Sequence, residues 1–239
     1  MNVVIIGNGT IGSAIREALH RVDPLLPVPI LGRGDTIASV ADADAVLLCV
    51  KPHQVQAALE LLAPSMPHGS LLISVAAKTT LASLRAALPP HVGVVRAMPN
   101  LPVGELAGMT ALANESAPEH LERSEAIFGA MGRTVRIDER LMDAATAMNG
   151  CGPAYVYLMV EAWIDAGIKL GFSYEVARTL VAQTMLGAAA SVLASDDHPA
   201  ALKTAVTTPA GCTIEGLLQL EDGRLRSTIV RAVLAAAGA

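Results

Sequence analysis

Short apolar runs alternate with amphipathic stretches over the first 137 residues, and the chain then changes character. Runs rich in β-branched residues and leucine at 2–6, 28–31, 45–50, 70–75, 92–96, 109–113 and 134–137 predict seven strands. Most are continuously apolar rather than alternating, as expected for a parallel sheet covered on both faces. Between them, residues 12–21, 53–62, 79–88 and 118–129 carry helical spacing, with Thr79 as the expected N-cap of the third helix. The stretch from residue 33 to the third strand has room for little more than one helix, so that crossover should be trimmed. Beyond Ile137 no β-rich run appears, and helices are expected at 139–148, 153–170, 173–193, 199–205, 213–220 and 223–237. The pattern is that of an α/β protein: a parallel-sheet domain over 1–137, then an all-α domain over 138–239.

The first strand leads directly into Gly7-Asn8-Gly9-Thr10-Ile11-Gly12 and then into an amphipathic helix. This context turns a G-x-G-x-x-G string into a dinucleotide-binding signal of the Rossmann type. Gly7 would permit the tight turn, Gly9 the approach of a pyrophosphate to the backbone, and Gly12 the packing of helix on strand. A glycine-rich turn without a ligand is the plainer reading. At the end of the second strand the first charged residue is Arg33, which points to the 2′-phosphate of NADP(H); Asp35 reaching a ribose is the alternative, and it would favour NAD(H). Two further strands end abruptly, at Cys49-Val50-Lys51-Pro52 and at Arg96-Ala97-Met98-Pro99-Asn100, and a third at Val75-Ala76-Ala77. Ligands of open parallel sheets lie at these carboxyl ends. Lys51 could therefore meet a phosphate, ribose or substrate, Pro52 would start the next helix, and Asn100 could offer a donor and an acceptor to a carboxamide.

Composition narrows the partners. The 239 residues carry 17 Lys+Arg against 22 Asp+Glu, with no basic cluster, which argues against nucleic acid. Mean hydropathy is high at +0.48. The most apolar stretch, 179–195, is nevertheless interrupted by Thr, Gln, Gly and Ser and ends on Asp196, so it is expected to be a buried helix and not a membrane span. No basic, apolar and small-residue succession opens the chain, so a cytoplasmic protein is expected. Cys49, Cys151 and Cys212 have no paired spacing, and His53, His68, His91 and His198 no ligand spacing, so neither a disulfide framework nor a metal site is expected. The surplus of alanine and apolar helix surface around 153–193 is expected to be covered by a second copy of the chain. Ala and Gly along 183–190 would allow close helix approach, and the aromatic side chains gather between 155 and 174.

At Val94-Val95-Arg96-Ala97-Met98-Pro99-Asn100, with Cys49-Val50-Lys51-Pro52 before it and Asn149-Gly150-Cys151-Gly152-Pro153-Ala154-Tyr155 after it, the chain resembles the pyrroline-5-carboxylate reductases. His198-Pro199, Leu202-Lys203 and the run from Thr207-Thr208-Pro209-Ala210-Gly211-Cys212-Thr213 to Leu217 extend the resemblance, in order, over essentially the whole chain. It implies NADPH-dependent reduction of a cyclic imine, 1-pyrroline-5-carboxylate, to L-proline in proline biosynthesis. It also implies a Rossmann domain followed by a helical domain that interlocks with another subunit as a homodimer or higher homo-oligomer. The resemblance assigns residues 7–12, Lys51, Pro52, Ala76 and Asn100 to the cofactor, and Thr208, Gly211, Cys212 and Thr213 to the substrate. In the family the substrate carboxylate lies on backbone N–H groups of that loop, and the hydroxyl at the Thr213 position lies beside the ring nitrogen, which makes Thr213 the catalytic candidate.

The family usually has Gly at the positions of Ala77 and Ala210, Ser at those of Asn149 and Cys151, and a hydroxyl residue or Ala at that of Cys212. Ala210 matters only if its φ is positive. Cys151 and Cys212 read most simply as small buried packing residues, and Thr213 read without chemistry is the N-cap of its helix. These departures leave two rivals: a reductase of another cyclic imino acid, and a non-catalytic NADP(H)-binding regulator.

Overall fold

A computed structural model of the chain describes residues 1–32, 34–36, 38–114 and 117–238. Seven strands form one sheet: β1 (Val3–Ile6), β2 (Ile30–Leu31), β3 (Ala45–Leu48), β4 (Leu71–Ser74), β5 (Gly93–Pro99), β6 (Gly108–Ala113) and β7 (Gly132–Arg136), in the order β2-β1-β3-β4-β5-β6-β7. All neighbours are parallel except β5 and β6, which pair antiparallel with Pro99 opposite Thr110.

The continuous apolar runs are explained by burial on both faces. Val3, Ile5, Leu47, Leu71, Ile73 and Val95 face one cluster, capped by Ile15 and Leu19 of helix α1 (Thr10–Val22) and by Ile127 and Phe128 of α4 (Pro118–Gly129). Val4, Val46, Leu48, Leu72 and Val94 face the other, capped by α2 (Val55–Leu62) and α3 (Leu81–Ala86). Each fully buried Leu or Ile contributes on the order of 1.5–3 kcal/mol. The crossover from β2 to β3 is trimmed, holding a 3₁₀ turn, Ala38–Asp42. The N-cap of α3 is Thr80 and not Thr79: the Thr80 hydroxyl accepts from Ser83 N at 3.1 Å.

After β7 the expected helix over 139–148 is broken up. A 3₁₀ turn (Glu139–Leu141), a short α5 (Met142–Ala145) and a π turn (Thr146–Gly150) succeed one another. Met142 packs on Met98, Ala111 and Ala113 of β5 and β6, so this stretch belongs by contact to the sheet. The compact units accordingly divide at Pro153 and Ala154, past the expected boundary near Asp138.

The second unit, 154–239, carries most of α6 (Gly152–Lys169), then α7 (Tyr174–Ala194), α8 (Pro199–Ala205), α9 (Cys212–Asp222) and α10 (Leu225–Ala237). Gly171, at φ 98°, turns α6 into α7, and the Ser173 hydroxyl caps α7 by accepting from Val176 N. α6 and α7 approach closely at Gly167, where an added Cβ would come 2.9 Å from that of Ala177. Within the single chain the apolar helix expected over 179–195 is not buried. Leu186 and Leu193 of α7 are 63% and 61% exposed, and α7 is long and apolar enough to cross a membrane by length and composition.

Candidate active site

The first candidate site is a cleft of about 630 Å³ at the carboxyl ends of β1, β2 and β3, where Gly7, Asn8, Gly9, Gly32, Asp35 and Lys51 meet. Its floor is a bend that only glycine permits. Gly7 has φ 108°, and a Cβ there would sit 2.5 Å from the carbonyl oxygen of Cys49. Gly12 cannot carry a side chain either, because its Cβ would lie 2.1 Å from Gly7 O. Gly9 differs from both: a Cβ there would meet nothing within 4 Å, so the chain leaves this space open on the cleft side of the bend. Gly9 is also the N-cap of α1 and supplies no side-chain cap, so the first N–H groups of the helix keep their capacity to bind an anion. An open cradle, an uncapped helix start and a cationic Lys51 without an ion-pair partner among the described residues fit a dinucleotide pyrophosphate.

Other groups around the cleft are already committed. Asp35 Oδ2 accepts from Gly32 N at 2.7 Å, which folds this carboxylate onto its own loop. Cys49 is buried, and burial pushes its thiol up to about 12, so it packs as a neutral group. Thr10, Ile11, Gly12, Pro52, Ala76 and Asn100 are not among the cleft-lining residues. Thr10 and Ile11 open α1, Pro52 begins a 3₁₀ turn leading into α2, and Ala76 is buried just past β4. Arg33, the residue on which the NADP(H) expectation rested, lies outside the described residues.

Asn100, at the end of β5, is bonded inward. Its Oδ1 accepts from Met109 N at 2.9 Å and its Nδ2 donates to Asn149 Oδ1 at 3.0 Å. Asn149 in turn donates from Nδ2 to the carbonyls of Met98 and Met109 at 2.7 and 2.9 Å. Arg96, expected at the rim, is buried instead. Its Nη1 pairs with Glu139 Oε1 at 3.0 Å, and the same oxygen accepts from Leu81 N at the start of α3. Sequence reading missed both attachments. The only sign of the first was Asn149 standing where the resemblance leads one to expect Ser.

The second candidate site lies in the helical unit, in the turn from Thr208 to Gly211 that opens α9. Gly211 N donates to Thr208 O at 3.0 Å, closing a turn with Pro209 at its second position and Ala210, at φ 56°, at its third. A positive φ in that place is what Gly usually supplies, so the methyl of Ala210 is held in strain. Gly211 has no room for a Cβ, which would lie 2.4 Å from Thr208 Oγ1. Gly211 is the N-cap of α9 and has no side-chain cap; Thr213 lies inside the first turn, which overturns its reading as a plain N-cap. Cys212 is exposed and Cys151 partly exposed, so neither is the buried packing residue expected. This turn, like the Gly9 bend, presents uncapped N–H groups, here followed by a half-buried hydroxyl.

Known proteins extend these observations. A family profile described as pyrroline-5-carboxylate reductase dimerisation matches residues 139–239, and one described as NADP oxidoreductase, coenzyme F420-dependent, matches residues 31–78. The pyrroline-5-carboxylate reductase of Synechocystis is 41% identical over 196 residues, covering 81% of this chain and 73% of its own. That of Schizosaccharomyces pombe is 39% identical over 210 residues, 85% of this chain and 73% of its own. The crystal structure of Plasmodium falciparum pyrroline carboxylate reductase with NADP bound is similar with a TM-score of 0.87 at 29% identity, covering 100% of this chain and 96% of that one.

Proposed function

The chain belongs to the pyrroline-5-carboxylate reductase family, and from that premise we propose that it reduces 1-pyrroline-5-carboxylate to L-proline with NADPH. The observation that carries this reading is the uncapped turn at Thr208–Gly211 in the segment matched by the dimerisation profile, on a chain that also holds an open dinucleotide cradle.

The Gly7–Gly9 bend and the start of α1 take the pyrophosphate, with Lys51 as the neighbouring cation. Asp35 Oδ2 accepts from Gly32 N while its other oxygen keeps its capacity to accept, so the preference for the phosphorylated cofactor rests on Arg33 and on the NADP-bound relative. Arg33 is assigned to that phosphate on sequence grounds. NADPH, when bound, supplies a hydride at nicotinamide C4. A protonated C=N bond is electrophilic already: its carbon takes the hydride and its π electrons pass to nitrogen, so alignment is the chief requirement.

The N–H groups of Cys212 and Thr213, beyond the Gly211 N–H that closes the turn on Thr208 O, hold the substrate carboxylate without a buried cation. The Thr213 hydroxyl, with no hydrogen bond to the other described residues, is the group assigned to the ring nitrogen. The working unit is a homodimer built on the helical half, and a reducing cytoplasm suits three unpaired cysteines.

Ala210 in its strained conformation and the exposed Cys212 keep a second reading in play, a neighbouring cyclic imino acid as substrate. NADPH absorbance followed over a panel of five- and six-membered cyclic imino acids separates the two. Turnover is expected to be fastest with 1-pyrroline-5-carboxylate. Its absence beside brisk reduction of a six-membered imine would overturn the leading reading.

A further inference from the structure

Asn149 has no part in the chemistry above, yet its amide is fully engaged within the sheet half of the chain. The π turn Thr146–Gly150, closed by Cys151 N donating to Thr146 O at 2.9 Å, places an extra residue in the helical path. Such insertions re-aim a side chain at some cost in hydrogen-bond regularity. Here the side chain reaches the open end of the antiparallel β5–β6 pair. Both hydrogens of Asn149 Nδ2 are used, one on Met98 O of β5 and one on Met109 O of β6. Its Oδ1 faces Asn100 Nδ2.

The orientation of both amides follows from groups whose roles cannot change. Met109 N is a donor, so Asn100 must present Oδ1 to it; the Met98 and Met109 carbonyls are acceptors, so Asn149 must present Nδ2 to them. The remaining pair then matches without conflict. Turning Asn100 over would set donor against donor at Met109 and acceptor against acceptor at Asn149. A serine at residue 149, with one hydroxyl hydrogen, could donate to only one of the two carbonyls. The consequence is a single hydrogen on Asn100 Nδ2 with no acceptor among the described residues, in a fixed place at the carboxyl end of β5, where ligands of such sheets lie.

We propose that Asn149 is a positioning residue for hydride transfer, acting through Asn100 to fix the amide N–H at the nicotinamide end of the cofactor site. This rests on the reading of the chain as an NADPH-dependent imine reductase. The test compares wild type with Asn149→Ala, Asn149→Ser, Asn100→Ala and the Asn100→Ala/Asn149→Ala double variant in the full chain. Single-turnover rates are taken with NADPH and with NADPH deuterated at the transferred C4 position, alongside NADPH affinity by fluorescence and thermal unfolding.

Asn149→Ala is expected to slow hydride transfer about tenfold and raise the isotope effect on the single-turnover rate, with NADPH affinity changed less than about threefold. The double variant should be no slower than Asn100→Ala alone, since one acts through the other. A folded Asn149→Ala variant with wild-type rate and isotope effect, or additive losses in the double variant, would overturn the proposal. Should Asn149→Ala not fold, Asn149→Ser decides: a slower step with a raised isotope effect supports the proposal and an unchanged isotope effect refutes it. Wild type inactive on every imine would bring down the reductase reading and this inference together; an active wild type matched by its Asn149 variants brings down this inference alone.

Discussion

In residues 1–153, Ile5, Leu47, Leu71 and Ile73 have no solvent exposure, whereas in residues 154–239 the buried apolar side chains among those described are Ile164, Ala177 and Val181. Leu158 and Leu170 of the helical half are 67% and 79% exposed, and Tyr157, Trp163, Phe172 and Tyr174 stand out beside them. The sheet half satisfies its hydrophobic pattern by itself. The helical half carries an equally apolar pattern with too few partners in its own chain, and surface of that extent marks an interaction site. The same composition thus gives a core in one half and an uncovered apolar surface in the other, within the segment that matches a profile described as pyrroline-5-carboxylate reductase dimerisation.

The sharpest way to break this contrast is to charge the exposed face of α7. Leu186→Glu with Leu193→Glu should convert the proposed dimer to monomer in sedimentation and cut imine reduction by about a hundredfold or more, because carboxylates buried unpaired in such an interface cost several kcal/mol. NADPH affinity, seated in the sheet half, should stay within about threefold. A monomer with full activity would refute the assignment of the two halves.

A middle-sized effect is expected inside the cofactor cleft. Gly12→Ala forces a methyl against Gly7 O and should cost about 1–3 kcal/mol in thermal unfolding, with cofactor binding lost alongside. Gly9→Ala meets no protein atom and should cost under about 1 kcal/mol, mainly as a poorer N-cap, while weakening NADPH about tenfold in fluorescence titration. Equal effects of the two substitutions on stability would contradict the open cradle at Gly9.

The smallest effect belongs to the helical half. Ala210→Gly relieves a left-handed alanine but loosens the unfolded chain, so stability should rise by no more than about 1 kcal/mol in thermal unfolding. A loss of stability would show that the methyl is held by packing and not strained.

All seven strands and the helices α1 to α4 and α6 to α10 were legible in the sequence to within a few residues, because burial on two faces, glycine bends and proline starts leave local marks. What was not legible is set by contacts distant in the chain. The reversal of β6 depends on pairing across the loop after Asn100, and its continuous apolar run reads the same in either direction. The break-up of residues 139–150 follows from Arg96, Glu139 and Asn149 finding partners on the sheet, which no helical period announces. In the candidate site, Gly7, Gly9 and Gly12 could be assigned separate tasks from spacing alone. Asn100 could not, since its amide is directed by a residue 49 positions away.

The two rims of the sheet decide where this protein can safely be sticky. β2 offers a ladder of only two residues, and β7 carries Arg133 and Arg136 along its outer margin. An edge so short, and one so charged, are poor templates for another strand. The sheet rims are thus poorer templates for self-association than the exposed apolar faces of the helices.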